Sequence, residues 1–243
     1  MRTIVVALFI TLFLILTIPV MFVEWVIGKF NQDLKDRSSL RIVQWAFRCV
    51  IFLCGTKMTV IGEENVPKGE PVLYIGNHRS LFDTVVTYAR TPGLCGYIAK
   101  KEMLKVPLLT IWMRYLHCIF LDRDDIRAGL KMVLNAIDQV KHGVSICIFP
   151  EGTRNDGSVD FLPFRNGCLK IAEKTNCAIV PMALNNTADI FELHKPWIRR
   201  THVVLEYCKP VYPQDFSKED RKKLGDIIEQ TVKDTYYKNQ GLV

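Results

Sequence analysis

"VLYIGNHRSLFD", Val72 to Asp83, is the stretch on which the fold turns. Val72 to Gly76 is apolar, with β-branched and aromatic side chains, which predicts a short buried strand. Asn77, His78 and Arg79 break the run. Ser80 is placed to cap a following helix that carries Asp83 in its first turn. A strand that ends in polar residues and turns into a helix begins an α/β unit. Ligand-handling groups collect at such carboxyl ends.

Working outward, similar runs recur: "MTVIG" (58–62), "CGYIA" (95–99), "HCIFL" (117–121), "VSICIF" (144–149), "AIVPMAL" (178–184) and "HVVLEY" (202–207). Helical patterns separate most of them. The clearest starts at Asp124 or Asp125, carries Ile126, Leu130, Val133, Leu134, Ile137 and Val140 on one stripe, and stops at Gly143. A last amphipathic, basic helix is expected over Lys218–Tyr236. The alternation predicts an α/β domain over residues 57–243, a central and mostly parallel sheet flanked by helices.

Residues 1–56 read differently. Thr3 to Val23 runs without a charge, bracketed by Arg2 and Glu24. As one helix it is long enough for a bilayer core, which needs about 20 apolar residues. Pro19 is a place for it to bend. A helix lying in the interface and a secretory leader are the other readings. The leader lacks a small-x-small cleavage site. Residues 29–41 look like a polar link. Ile42 to Gly55 is apolar again but carries Gln44 and Arg48, which suits a segment at headgroup level or a helix packed on the domain. Together the two segments are expected to form a membrane-attaching helical hairpin.

Lys and Arg outnumber Asp and Glu, 32 to 25, so the net charge of +7 favours anionic partners. The basic residues are dispersed and no nucleic-acid module is recognisable, so no nucleic-acid partner is expected. The eight cysteines include no CxxC pair and read as reduced core thiols. No metal-ligand spacing is visible.

His78 and Asp83 are spaced so that the carboxylate can reach a ring nitrogen. That bond fixes the tautomer and leaves the other nitrogen as a base. The same spacing also fits an ordinary hydrogen-bonded turn. Ser80 reads as a helix cap. As a nucleophile it lacks a G-x-S-x-G elbow. "IFPEGTRNDG" (148–157) again ends a buried-looking strand in polar residues. Gly152 allows close backbone approach, Arg154 offers a planar fork for carboxylate or phosphate, and Glu151 is positioned to pair with it or with another cation nearby. A tight turn with a local ion pair accounts for the same residues. Arg123, Lys101 and Arg165 follow other apolar runs. Gathered at one sheet edge, they suit a phosphate monoester. Each alone is an ordinary solvated cation.

Four blocks in this order, "NHRSLFD" (77–83), "FLDR" (120–123), "FPEGTR" (149–154) and "IVPM" (179–182), resemble the glycerolipid acyltransferases, in particular those that acylate lysophosphatidate. The resemblance implies that family's α/β fold and direct acyl transfer without metal or cofactor. It implies His78 as general base, Asp83 as its orienting carboxylate, and Arg123, Glu151, Gly152, Thr153, Arg154 and Pro181 at the substrates, with Lys101 and Arg165 as secondary candidates. Implied partners are acyl-CoA or acyl carrier protein, lysophosphatidic acid and anionic membrane lipid, with the catalytic domain on the cytoplasmic face. Glycerol 3-phosphate or another lysophospholipid is the alternative acceptor, and a membrane-bound hydrolase using Ser80 the alternative chemistry. Amides at the Ser80–Leu81 turn are candidates for holding the oxyanion. Trp112 and Met113 stand near a place where many relatives have glycine, and are expected to narrow an acyl channel.

Overall fold

A computed structural model describes residues 1–122 and 125–243. Arg123 and Asp124 lie outside the described residues, and with them the second-block arginine. Seven strands form one sheet: β1 (Lys57–Ile61), β2 (Val72–Gly76), β3 (Cys95–Lys100), β4 (Ile119–Leu121), β5 (Ser145–Ile148), β6 (Ala178–Asn185) and β7 (His202–Tyr207). Their order is β1-β7-β6-β2-β5-β3-β4. Every neighbouring pair is parallel except β6 and β7, which are antiparallel. The mostly parallel α/β sheet expected from the alternation is therefore present.

Strand β2 is the middle of the sheet. All of Val72, Leu73, Tyr74 and Ile75 are 2% exposed or less, because the strand is covered on both faces. Side chains alternate across a strand. Val72 and Tyr74 join one apolar cluster, and Leu73 and Ile75 join the other. The chain leaves β2 toward β5, β3 and β4, then returns to β6 on its other flank, so β2 lies at the crossover point of the sheet.

Helices α4 (Phe82–Tyr88), α5 (Pro107–Tyr115), α6 (Ile126–Lys141), α7 (Lys170–Thr175) and α8 (Leu224–Asn239) surround the sheet, numbered after the three helices of the amino end. On α6 the buried face differs from the expected stripe. Met132, Ala136 and Val140 are buried, while Leu130 and Leu134 are exposed. Ala136 is small enough to bring the helix close to the sheet, a signal that counting large apolar residues passes over. The final helix begins at Leu224, preceded by a 3-10 turn over Asp220–Lys223.

Helices α1 (Arg2–Leu16), α2 (Ile18–Phe30) and α3 (Gln32–Cys54) make up the amino end. The uncharged run is broken rather than continuous. Thr17 turns its Oγ1 onto the Phe13 carbonyl (2.7 Å) and accepts from Trp112 Nε1 (3.2 Å), and Pro19 starts the next helix where its missing N–H costs nothing. Among the described residues no single helix is long and apolar enough to cross a membrane. The α1–α2 pair, bent by 47°, passes that test together. The expected polar link over 29–41 is instead largely the first half of α3. Asn31 caps it by accepting from Leu34 N–H (2.9 Å), and its polar residues find tertiary partners: Ser38 donates to the buried Glu24 (2.8 Å), and Asp36 pairs with His117 (2.9 Å). Its second half packs on the α/β body, the alternative to a headgroup segment. Val43, Ala46, Val50 and Cys54 are buried there, and Gln44 donates to the Thr91 carbonyl (2.7 Å). Trp45 and Phe52 on the same helix stay exposed. Trp112 is buried as well, its ring stacked on Phe13 of α1, so it fills the joint between α5 and the amino-terminal helices.

Candidate active site

Register brings the first and third blocks together. β2 and β5 run parallel with Ile75 opposite Ile148, so the residues three places on, His78 and Glu151, emerge side by side. Both backbone groups of His78 are held by the third block and the residue after it: its N–H donates to Glu151 Oε1 (2.7 Å), and its carbonyl accepts from Asn155 N–H (2.8 Å). On the other flank, the Asn77 amide acts as an extra rung of the sheet. It donates to the Leu184 carbonyl and accepts from the Leu184 N–H, each at 2.9 Å.

The His78 ring lies flat on Phe149, centroids 4.3 Å apart and planes 9° apart. Its Nδ1 is 2.8 Å from Asp83 Oδ2. Asp83 is fully buried, and its Oδ2 also accepts from Arg79 N–H and Ser80 N–H, both at 2.7 Å. Thr187 Oγ1 donates to the other oxygen, Oδ1. A carboxylate at Nδ1 makes Nδ1–H the donor, which leaves the lone pair on Nε2. Among the described residues Nε2 has no hydrogen-bond partner, and the side chain is 13% exposed. The pair can thus receive a proton at Nε2.

Ser80 is committed elsewhere. It is fully buried, donates to Glu192 Oε2 (2.6 Å) and accepts from Phe82 N–H (2.9 Å). The contact to Phe82 is a turn bond at the start of α4, whose cap position is Leu81 without a side-chain cap, so Ser80 stands one residue before the expected capping place, and its buried hydroxyl is not accessible as a nucleophile. The amides around it are also spent. Arg79 and Ser80 donate to Asp83, Leu81 to Glu192 Oε1 (2.8 Å) and Phe82 to Ser80. That corrects the expectation that the Ser80–Leu81 turn offers oxyanion donors.

The third block is rearranged relative to expectation. Glu151 does not pair with Arg154. It is buried, and burial, reinforced by Asp83, pushes its carboxyl up to about 7 against the opposing pull of the His78 and Leu162 amides. Arg154 pairs instead with Glu192 at 3.2 Å. Gly152 has φ +74°, and an added Cβ would lie 3.1 Å from Arg165 Cζ, so its openness admits the Arg165 guanidinium. Thr153 is exposed beside them. Pro181 lies inside β6 opposite Ile75, one residue before β6 takes up its antiparallel pairing with β7. Lys101 is not brought to His78. It follows β3, two strands from β2, and pairs with Asp122 (2.6 Å) on the wall of an open cavity of about 660 Å³ that Phe120, Arg127 and Lys131 also line. Among the described residues no group of three or more His, Cys, Asp or Glu side chains could hold a metal ion.

Glu151 makes stability depend on pH. Below its ordinary value of 4.5 the carboxyl is protonated whether the chain is folded or unfolded. As pH rises from there to about 7, the unfolded chain gives up the proton and the folded chain keeps it, so stability falls. Above that the penalty is constant. Glu151→Gln removes it, and the variant is expected to gain on the parent between pH 5 and 7.5 by on the order of 2 kcal/mol, then to run parallel. Thermal melts across this range check it; parallel curves throughout would show that the group does not titrate in this window.

Two residues of the site, Thr187 and Glu192, carry no signal in the sequence and sit in 3-10 turns beyond β6, while Asn77 opens the first block but reads there only as a strand breaker. Their one clue is position, since β6 lies beside β2 and the turns at its carboxyl end fall near His78.

Comparison with other proteins shows the family. The sequence pattern of the family described as Acyltransferase matches residues 57–185. The 1-acyl-sn-glycerol-3-phosphate acyltransferase of Borreliella burgdorferi is 35% identical over 160 residues, which are 64% of this chain and 62% of that protein, so the match spans less than two thirds of that relative. The one from Helicobacter pylori is 32% identical over 195 residues, 79% of each chain. The crystal structure of the 1-acyl-sn-glycerophosphate (LPA) acyltransferase from Thermotoga maritima superposes over 99% of both chains with a TM-score of 0.75 at 24% identity, a likeness of fold. With a family pattern over more than half its length and a relative matched over most of both chains, this chain belongs to the acyltransferase family of enzymes.

Proposed function

We propose that the protein transfers a fatty acyl group from acyl-CoA or acyl carrier protein to the sn-2 hydroxyl of 1-acyl-sn-glycerol 3-phosphate, giving phosphatidic acid. The observation that carries this is the unpartnered Nε2 of His78, backed by a buried carboxylate at the carboxyl end of the central strand. The acceptor hydroxyl gives its proton to Nε2 as its oxygen attacks the thioester carbonyl carbon. The tetrahedral species collapses with loss of the C–S bond, and the imidazolium returns the proton to the departing thiolate. Asp83 holds the ring and offsets its transient charge. No acyl-enzyme forms, which accords with the buried Ser80. Arg154, 43% exposed beside the His78 turn, is the phosphate ligand, with Arg165 over Gly152 as a second cation. Much of the rate comes from holding both substrates against one base.

Residues 1–56 serve membrane attachment in this scheme and 57–243 catalysis. The exposed side of α1 and α2 carries Ile4, Leu8, Ile15, Leu16, Phe22 and Trp25, which suits the acyl region of a bilayer. The net charge of +7 suits the anionic cytoplasmic face.

The test is purified protein offered labelled acyl-CoA and acyl carrier protein with lysophosphatidate, glycerol 3-phosphate and a lysophospholipid bearing a larger headgroup. Phosphatidate should be the main product. Equal rates on all acceptors, or faster turnover of glycerol 3-phosphate, would reject the acceptor named here.

A further inference from the structure

Glu192 belongs to none of the four sequence blocks. It starts the 3-10 turn Glu192–His194, and its side chain is 12% exposed. Its two oxygens join parts of the site that the proposed chemistry uses separately. Oε2 accepts from Ser80 Oγ (2.6 Å), and Oε1 accepts from Leu81 N–H (2.8 Å) and from Arg154 Nη1 (3.2 Å). The first two contacts reach the turn that carries His78 and Asp83. The third is the one ion pair of Arg154 among the described residues.

The turn is itself anchored. Ile190, two residues before Glu192, is fully buried in a cluster with Phe82, and Phe191 packs against it. The carboxylate therefore has a fixed base. A single contact through Nη1 stops the guanidinium from swinging and leaves its other N–H groups for a planar, two-point contact with phosphate. Without that contact a half-exposed arginine must be ordered by the ligand.

We infer that Glu192 is a positioning residue that aims Arg154 at the acceptor's phosphate and fixes its distance from the His78 turn. This rests on Arg154 being the phosphate ligand. Ordering a freed arginine should weaken acceptor binding by up to about tenfold. Most of the effect falls on KM, because His78 and Asp83 keep their own contacts.

A double-mutant cycle with lysophosphatidate in mixed micelles and saturating acyl-CoA tests it. Glu192→Ala should raise the acceptor KM by about tenfold with kcat changed less than about threefold. In an Arg154→Ala background the same substitution should change KM by less than about twofold. An undiminished effect in that background, or a fall in kcat with KM unchanged, would reduce Glu192 to a brace for the Ser80–Leu81 turn and overturn the inference. Arg154→Ala that leaves the acceptor KM unchanged would overturn the phosphate assignment itself, a separate result. Glu192→Gln can keep the Ser80 and Leu81 contacts while losing the charge toward Arg154. If Glu192→Ala does not fold, the cycle is run with Glu192→Gln and judged by the same coupling.

Discussion

Replacing His78 by alanine should lower kcat by about a hundred- to ten-thousand-fold, the usual worth of a positioned general base. The acceptor KM should stay within about threefold, since Arg154 and Arg165 are untouched. Among the described residues the ring makes one hydrogen bond, to Asp83, and one stacking contact, to Phe149, so its loss leaves the surrounding backbone anchored by Glu151 and Asn155. Steady-state kinetics with circular dichroism as a folding control would check this. Retention of more than about a tenth of the turnover, or an acyl group trapped on Ser80, would show that the proton leaves by another route.

Asp83→Asn should damage both activity and stability. Three donors converge on Oδ2, from His78, Arg79 and Ser80, and Thr187 supplies Oδ1. An asparagine carbonyl turned toward His78 meets those three donors with two lone pairs and no charge. Turned the other way, its NH₂ meets two backbone N–H groups head-on. Either way a buried donor goes short, at a cost of about 2–4 kcal/mol, or roughly 5–10 °C in melting temperature for a chain of this size. The neutral side chain also fails to offset the imidazolium, so kcat should fall by about a thousandfold or more. An unaltered melt together with kcat within about tenfold of the parent would mean that the cluster is not the base.

The parts legible in the sequence are the ones encoded locally. β2 announces itself because both faces are buried and every residue is apolar. His78 and Asp83 are legible because six consecutive residues carry both. The failures are long-range. Glu151 and Arg154 look like partners because they are neighbours in sequence, but the parallel register gives Glu151 to the His78 amide, 73 residues away. Glu192 reaches Leu81 across 111 residues with no pattern linking them. Residues 29–41 look like a link because Gln32, Asp36 and Ser38 are polar. Gln32 bonds Asp36 one turn on, but Asp36 and Ser38 also reach His117 and Glu24 outside the helix, and such a contact is indistinguishable from a solvated one until the tertiary structure is known.

The smallest apolar cluster has a practical consequence. Val6 of the first helix and Val50 and Cys54 of the third share it with Phe82, which is bonded in sequence to Asp83. A surfactant harsh enough to peel the first helix from its seat should also loosen the packing of Phe82, and with it the proposed catalytic corner. A preparation treated in that way should keep most of its far-ultraviolet spectrum and lose rate. With the membrane attachment proposed above, the choice of nanodisc or mild micelle becomes part of the assay rather than a matter of yield.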